Sequence, residues 1–196
     1  MAPQTRGFAR GSSKPRKAKQ SRARETEKTA REGRVSTRAR KYTPDILAQM
    51  FIRAASLRNE MLDLDFTDNG GAIHSAERIL NGLGMTLVHP ELSHTNALKK
   101  LKGAPCSVGA REAREMGIPV FVEHVAPLRH MTQTAIEKIK DLRGADARRV
   151  LKAFVKKNYK LVLLTDQEMR RLNQRNRSKM SPTRLEDAGI KLCRRG

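Results

Sequence analysis

Hydrophobic residues in this chain mostly recur at the spacing of a helix. From Ile46 to Leu62 they return every three or four positions, which predicts an amphipathic helix that buries one face. Thr43, Pro44 and Asp45 precede this run as an N-cap, a proline in the first turn and an acidic residue near the helix N-terminus. A core helix is therefore predicted to begin at Pro44.

The same spacing predicts several more helices. The run from Ile73 to Leu83 is followed by Gly84, which we interpret as a helix end. A short strand is expected next, over residues 85–88. Later apolar runs predict further helices over about 108–116, 128–142, 150–155, 166–176 and 181–189.

Two segments have the composition of β-strands. Residues 118–125 are dense in β-branched and aromatic side chains, with Pro119 near the start and Pro127 beyond the end. Residues 160–164 form a second apolar run, as expected of a buried strand.

The second strand leads directly into a helix. Thr165, with Glu168 three positions later, is typical of a capping box at the start of a helix over about 166–176. The pattern as a whole predicts an α+β protein that is mostly helical. We expect a single helical domain over residues 42–196, containing a small unit of two strands and one helix.

The net charge of the chain indicates which kind of molecule it binds. The chain has 196 residues with 41 Lys and Arg against 20 Asp and Glu, a formal net charge of +21. Residues 1–41 hold 14 basic and 3 acidic residues and offer little beyond Phe8 and Val35 for a core, so we predict a disordered basic arm. Residues 42–196 are also cationic, with 27 basic and 17 acidic residues. This charge predicts binding to nucleic acid.

Several classes of protein are disfavoured by what the sequence lacks. No run approaches the roughly 20 apolar residues of a membrane-spanning helix, and the basic N-terminus has no apolar secretion segment. The two cysteines, Cys106 and Cys193, lie far apart, so neither a disulfide scaffold nor a four-cysteine zinc site is predicted, and no redox role is expected. We expect a soluble, cytoplasmic protein, associated with the nucleoid if the cell is bacterial.

The first strand carries the residues with the most chemical interest. It ends in Glu123 and His124, with Pro127 three residues further on, and the strand at 160–164 and a capped helix follow. In this arrangement the sequence resembles the HNH nucleases of the ββα-metal class. The resemblance implies a divalent-metal-dependent endonuclease that hydrolyses DNA phosphodiester bonds, with Mg²⁺ or another divalent cation as cofactor. It implies that Glu123 binds the metal and that His124 is the general base for the attacking water.

The remaining positions of the resemblance match less closely. Met169 stands where the family has the ligand on the helix, and a thioether is a poor ligand for Mg²⁺. Asn173 lies one turn later on the same face, so the resemblance assigns the second metal ligand to it. The family's asparagine that orients the base aligns nearest to Lys160, and the resemblance assigns this role to Asn158, two residues away. About 32 residues separate the strands, where the family has a short loop.

Basic residues surround the predicted unit and are expected to contact the phosphate backbone of double-stranded DNA. They are Arg129, Lys156, Lys157, Lys160, Arg170, Arg171, Arg175 and Arg177. The same charge also fits a non-catalytic DNA- or RNA-binding protein with an architectural or regulatory role. In that alternative Glu123 and His124 only hold the end of the strand.

Overall fold

The computed structural model describes residues 42–68, 71–177, 179 and 181–193. The predicted basic arm, residues 1–41, lies outside the described residues. None of the helices within the described ranges has the length and apolar character needed to cross a membrane.

The described chain is a mostly helical α+β structure, as the sequence predicts. Its elements in chain order are α1 (Pro44–Asp63), α2 (Gly71–Val88), a 3₁₀ helix (Thr95–Lys100), α3 (Val108–Glu115), β1 (Phe121–His124), α4 (Leu128–Ile139), α5 (Gly144–Asn158), β2 (Leu161–Leu164), α6 (Asp166–Asn176) and α7 (Arg184–Asp187).

Side-chain caps start helices where the sequence predicts them. Thr43 Oγ1 accepts a hydrogen bond from the Ile46 amide (3.2 Å) at the start of α1. At the start of α6, Thr165 and Glu168 form a complete capping box. Each cap satisfies backbone donors that the first helical turn leaves without a partner.

The prediction of a strand over residues 85–88 is wrong, because α2 continues through Val88. Gly84 does not end this helix; it makes room for a buried aromatic ring. A Cβ atom at Gly84 would overlap the ring of Tyr159, which is fully buried. The glycine therefore allows α2 and Tyr159 to approach closely.

The two strands form an antiparallel pair. Glu123 lies opposite Val162, and His124 lies opposite Leu161. Both strands are shorter than the predicted ranges of 118–125 and 160–164. On its other edge, β2 receives the segment that leads into α3, where the Ser107 amide donates to the Leu163 carbonyl (3.0 Å).

Strand β2 divides the core into two parts. All four of its side chains are buried, and alternate residues point to opposite faces. Leu161 and Leu163 join the large core formed with the long helices. The other face, Val162 and Leu164, packs in a second cluster whose remaining buried members are Leu172, Leu185, Ala188 and Ile190. Burial on both faces explains the unbroken apolar run of this strand.

Candidate functional site

A buried arginine holds the end of β1. Arg184, at the start of α7, is only 1% exposed. Its Nη1 atom donates to the carbonyl oxygens of His124 (2.7 Å) and Val125 (3.1 Å), and its Nε atom donates to that of Asn176 (3.0 Å). Its Nη2 atom forms an ion pair with Glu123 Oε1 at 3.1 Å.

These contacts give Glu123 a structural task. A guanidinium group removed from water needs both hydrogen-bond acceptors and an opposite charge nearby. The three carbonyl oxygens supply acceptors, and the carboxylate of Glu123 supplies the charge. A divalent cation on Glu123 would lie beside the positive charge of Arg184, and the two would repel each other. The surroundings of this carboxylate therefore do not favour a metal ion.

His124 packs into a small polar cluster between β1, α2 and the end of α5. Its Nε2 atom lies 3.0 Å from Asn81 Oδ1, and the Tyr159 hydroxyl donates to the same oxygen at 2.6 Å. The rings of His124 and Tyr159 meet edge to face, with their centroids 5.3 Å apart. His124 thus contacts two residues that sequence analysis had not connected with it.

Electrostatics keep His124 neutral at physiological pH. Burial, helped by the nearby charge of Arg184, lowers the pKa of His124 to about 4. A neutral ring with its proton on Nε2 completes the network, because Asn81 Oδ1 then accepts from both His124 and Tyr159. Efficient general bases have a pKa near the working pH, so an imidazole with a pKa this low is a weak proton acceptor. The arrangement favours a structural role for His124.

The other residues assigned by the resemblance lie in different settings. Asn173 is exposed on α6, and no hydrogen bond joins it to Glu123 among the described residues. Asn158 Nδ2 donates to the Phe154 carbonyl (2.8 Å), within the last turn of α5. Met169 packs against the second core cluster. Within the described ranges, no group of three or more His, Cys, Asp or Glu side chains is placed to hold a metal ion.

Two of the eight predicted DNA-contacting residues are engaged with acidic partners. Arg129 Nε pairs with Glu77 Oε1 at 3.2 Å, and Arg170 Nε pairs with Asp166 Oδ2 at 2.8 Å. Part of the charge of these two arginines is therefore already neutralised within the protein.

The other predicted basic residues are exposed and have no acidic partner among the described residues. They are Lys156, Lys157, Lys160, Arg171, Arg175 and Arg177. Lys156 and Lys157 lie in the last turn of α5, where the partial negative charge of the helix end favours cations.

Exposed basic side chains lie on α6 and on the segment that follows it. Arg171 and Arg175 are four residues apart and therefore share a helix face. Arg177 and Lys179 continue the positive charge after the helix, and both are exposed. We call these four residues the α6 basic surface.

Comparisons with protein-family models, with curated proteins and with solved structures find no match for this chain. The contacts of its own residues therefore carry the functional proposal.

The residues that sequence analysis missed are Arg184, Asn81 and Tyr159. Arg184 is 61 positions from Glu123, and Asn81 is 43 positions from His124. No spacing rule connects residues so far apart. A buried arginine looks like any surface arginine in a chain with this many basic residues.

Proposed function

We propose that this protein binds double-stranded DNA without cutting it, and that the α6 basic surface contacts the phosphate backbone. The observation that carries the proposal is a set of exposed cations on α6 and directly after it: Arg171, Arg175, Arg177 and Lys179 have no acidic partner among the described residues. Guanidinium groups form strong, charge-assisted hydrogen bonds with phosphate oxygens. Contacts of this kind position a protein on the duplex and carry little sequence information.

The rest of α6 supports this assignment because it fixes the helix on the domain. Leu172 of the same helix is buried and packs with Val162 and Leu164 of β2. Glu168 completes the capping box and is also buried. The basic side chains therefore project from an anchored helix, and less ordering entropy is lost when phosphate binds.

The contacts at the end of β1 favour binding without hydrolysis. Glu123 neutralises the buried Arg184, and the pKa of His124 is lowered to about 4. Both side chains already serve the folding of the domain. This is the role that the non-catalytic alternative gives them.

The decisive experiment measures DNA affinity for the full chain by fluorescence anisotropy with a labelled duplex. The test variant is Arg171→Gln with Arg175→Gln. The matched control is Arg53→Gln with Arg78→Gln, which removes the same charge from exposed positions on α1 and α2. We expect the test variant to weaken binding about tenfold and the control to weaken it much less.

Salt dependence separates backbone contacts from a general effect of net charge. Each lost phosphate contact lowers the slope of log affinity against log salt by about 0.9, so the test variant should lose about two units of slope. Equal losses of affinity and of slope in the two double variants would contradict the proposal that the α6 basic surface contacts the phosphate backbone. A duplex and a single strand measured in parallel, together with an RNA duplex, show which nucleic acid is preferred.

A divalent-metal-dependent endonuclease is the second candidate function. The order β1, β2, α6 and the Glu123–His124 dipeptide at the end of β1 favour it, through the resemblance to HNH nucleases. The test incubates plasmid DNA with the protein and Mg²⁺ or Mn²⁺, beside the His124→Ala variant. Cutting that disappears with His124→Ala would support this candidate over the binding protein. Intact plasmid with bound protein would support binding alone.

A further inference from the structure

The two cysteines, which lie far apart in the sequence, come together at the edge of the sheet. Cys106 and Cys193 are separated by 87 positions, yet their Sγ atoms are 3.6 Å apart. Ser107 and Leu192 form an antiparallel bridge, so Cys106 and Cys193 lie directly opposite each other. The Cys193 amide donates to the Cys106 carbonyl at 2.9 Å.

This register has the backbone geometry that a disulfide needs. Opposite residues at hydrogen-bonded positions of an antiparallel pair have Cα atoms about 5.5 Å apart. Disulfides join residues whose Cα atoms are about 4.4 to 6.8 Å apart. The thiols are already in contact, so the two sulfur atoms need to approach each other by only about 1.5 Å to reach bonding distance.

We propose that Cys106 and Cys193 form a redox modification site, at which a hydroperoxide converts the two thiols into an intramolecular disulfide. The sequence alone predicts no redox role for these cysteines, and their contact in the fold changes that expectation. The site is separate from the α6 basic surface and does not depend on the proposed DNA binding.

The two thiols differ in solvent exposure, and this difference determines which of them reacts with the peroxide first. Cys193 is half-buried, whereas Cys106 is buried, and burial raises the pKa of the Cys106 thiol. Both line a cavity of about 350 Å³ that also borders Lys160 and Leu192, both of which are exposed. A small oxidant reaches Cys193 first, and Cys106 acts as the resolving thiol.

The chemistry balances with one peroxide for each protein molecule. The Cys193 thiolate attacks one peroxide oxygen and the O–O bond breaks, which leaves a sulfenic acid on Cys193 and releases water after proton uptake. The Cys106 sulfur then attacks the sulfenic sulfur. A sulfur–sulfur bond forms, and the hydroxyl group leaves as water with a proton supplied by the Cys106 thiol. Two thiols and one hydrogen peroxide thus give one disulfide and two water molecules.

The disulfide would fasten the C-terminal segment to the start of α3. Ser107, next to Cys106, accepts a hydrogen bond from the Ala110 amide (2.9 Å) and donates one to Glu168 Oε2 (2.6 Å). A covalent bond that closes a long loop restricts the unfolded chain and stabilises the folded one. For a domain of this size we expect the melting temperature to rise by about 10 °C on oxidation.

The experiment treats the reduced full chain with hydrogen peroxide and follows intact mass, peptide map and melting temperature. The expected product is monomeric, two hydrogen atoms lighter, and contains a peptide that links Cys106 to Cys193. Dithiothreitol should restore both the mass and the lower melting temperature. Cys193→Ser, which alters the more accessible thiol, should abolish the cross-link and the rise in melting temperature.

Other products would overturn the proposal. They are added oxygen on either cysteine without a cross-link, a disulfide-linked dimer on a non-reducing gel, and a chain that peroxide leaves unchanged. Cys106→Ser alters a buried residue and serves as a second control. Its expected peroxide product is a sulfenic acid on Cys193, which a dimedone probe detects.

Discussion

The guanidinium group of Arg184 and the carboxylate of Glu123 form an ion pair, with Nη2 and Oε1 3.1 Å apart, between residues 61 positions apart in the chain. The pair joins the end of β1 to α7, and the bond from Arg184 to the Asn176 carbonyl adds the end of α6. One buried side chain thereby connects β1 and α6, two elements of the predicted unit of two strands and one helix, to α7. The positive charge of Arg184 also makes the carboxylate of Glu123 a poor ligand for a divalent cation.

Replacing this arginine should destabilise the protein strongly. Arg184→Lys keeps the charge but cannot supply the planar set of donors that reaches Glu123 and three carbonyl oxygens. Leaving buried groups without partners costs about 3 to 5 kcal/mol, which urea denaturation measures as a lower free energy of unfolding. Arg170→Lys is the control, because Arg170 pairs with Asp166 at the exposed surface of α6, and it should cost less than about 1 kcal/mol. Similar losses for the two variants would contradict the structural role of Arg184.

Two glycines in α2 should respond in opposite ways to alanine. An alanine inside a helix normally stabilises by about 0.5 to 1 kcal/mol relative to glycine. Gly82→Ala should show this gain, because the new methyl group meets only Leu47 Cδ2 at 3.8 Å. Gly84→Ala should instead lose about 1 to 3 kcal/mol, because its methyl group overlaps the buried ring of Tyr159. Thermal and urea unfolding of both variants tests the contrast, and a stabilised Gly84→Ala would contradict the close packing of α2 on Tyr159.

Stability should fall as His124 is forced to take up a proton. The pKa of His124 is lowered to about 4 in the folded protein, below its ordinary value of 6.5, so the unfolded chain binds the proton more tightly. The stabilising contribution of the neutral ring is therefore fully present above about pH 6.5. It is lost as the pH falls to about 4, and the total loss in the free energy of unfolding is about 3 kcal/mol. Carboxylates titrate in the same range, which makes a matched variant necessary.

His124→Gln provides that comparison, because its amide can donate to Asn81 but does not titrate. The free energies of unfolding of the two proteins should converge as the pH falls from 7 to 4, with the wild type losing about 3 kcal/mol more than the variant. Parallel curves would show that His124 takes up its proton as easily in the folded protein as in the unfolded chain.

Glu168 should matter more than its place on a surface helix suggests. Its Oε2 atom accepts from the Thr165 amide (2.8 Å) in its own capping box and from the Ser107 hydroxyl (2.6 Å), which caps α3. Glu168→Ala should cost about 2 to 3 kcal/mol, since it breaks the capping box and removes the buried partner of Ser107. Asp166→Ala, in the same turn but exposed, should cost less than about 1 kcal/mol.

A double-mutant cycle tests the link between the two helices. Ser107→Ala and Glu168→Ala should together cost less than the sum of the two single changes, by about 1 kcal/mol, because each removes the same hydrogen bond. Additive losses in urea denaturation would contradict a shared cap.

Local pattern was enough to predict both strands and most of the helices of this fold. The cap at Thr43, the capping box from Thr165 to Glu168 and the apolar run of β2 are recognisable because their interactions join residues within a few positions of one another. The excess of basic residues likewise follows from composition alone.

Tertiary structure decided what the individual residues do. A glycine has the same sequence signal whether it ends a helix or makes room for a ring, and only the position of Tyr159 showed which role Gly84 has. Glu123 has the same signal whether it binds a metal or neutralises an arginine, and the packing of Arg184 sets its surroundings. Cys106 and Cys193 looked unconnected until the sheet placed them opposite each other. In each case the partner lies dozens of residues away, and the burial and charge that set the chemistry arise only when the chain folds.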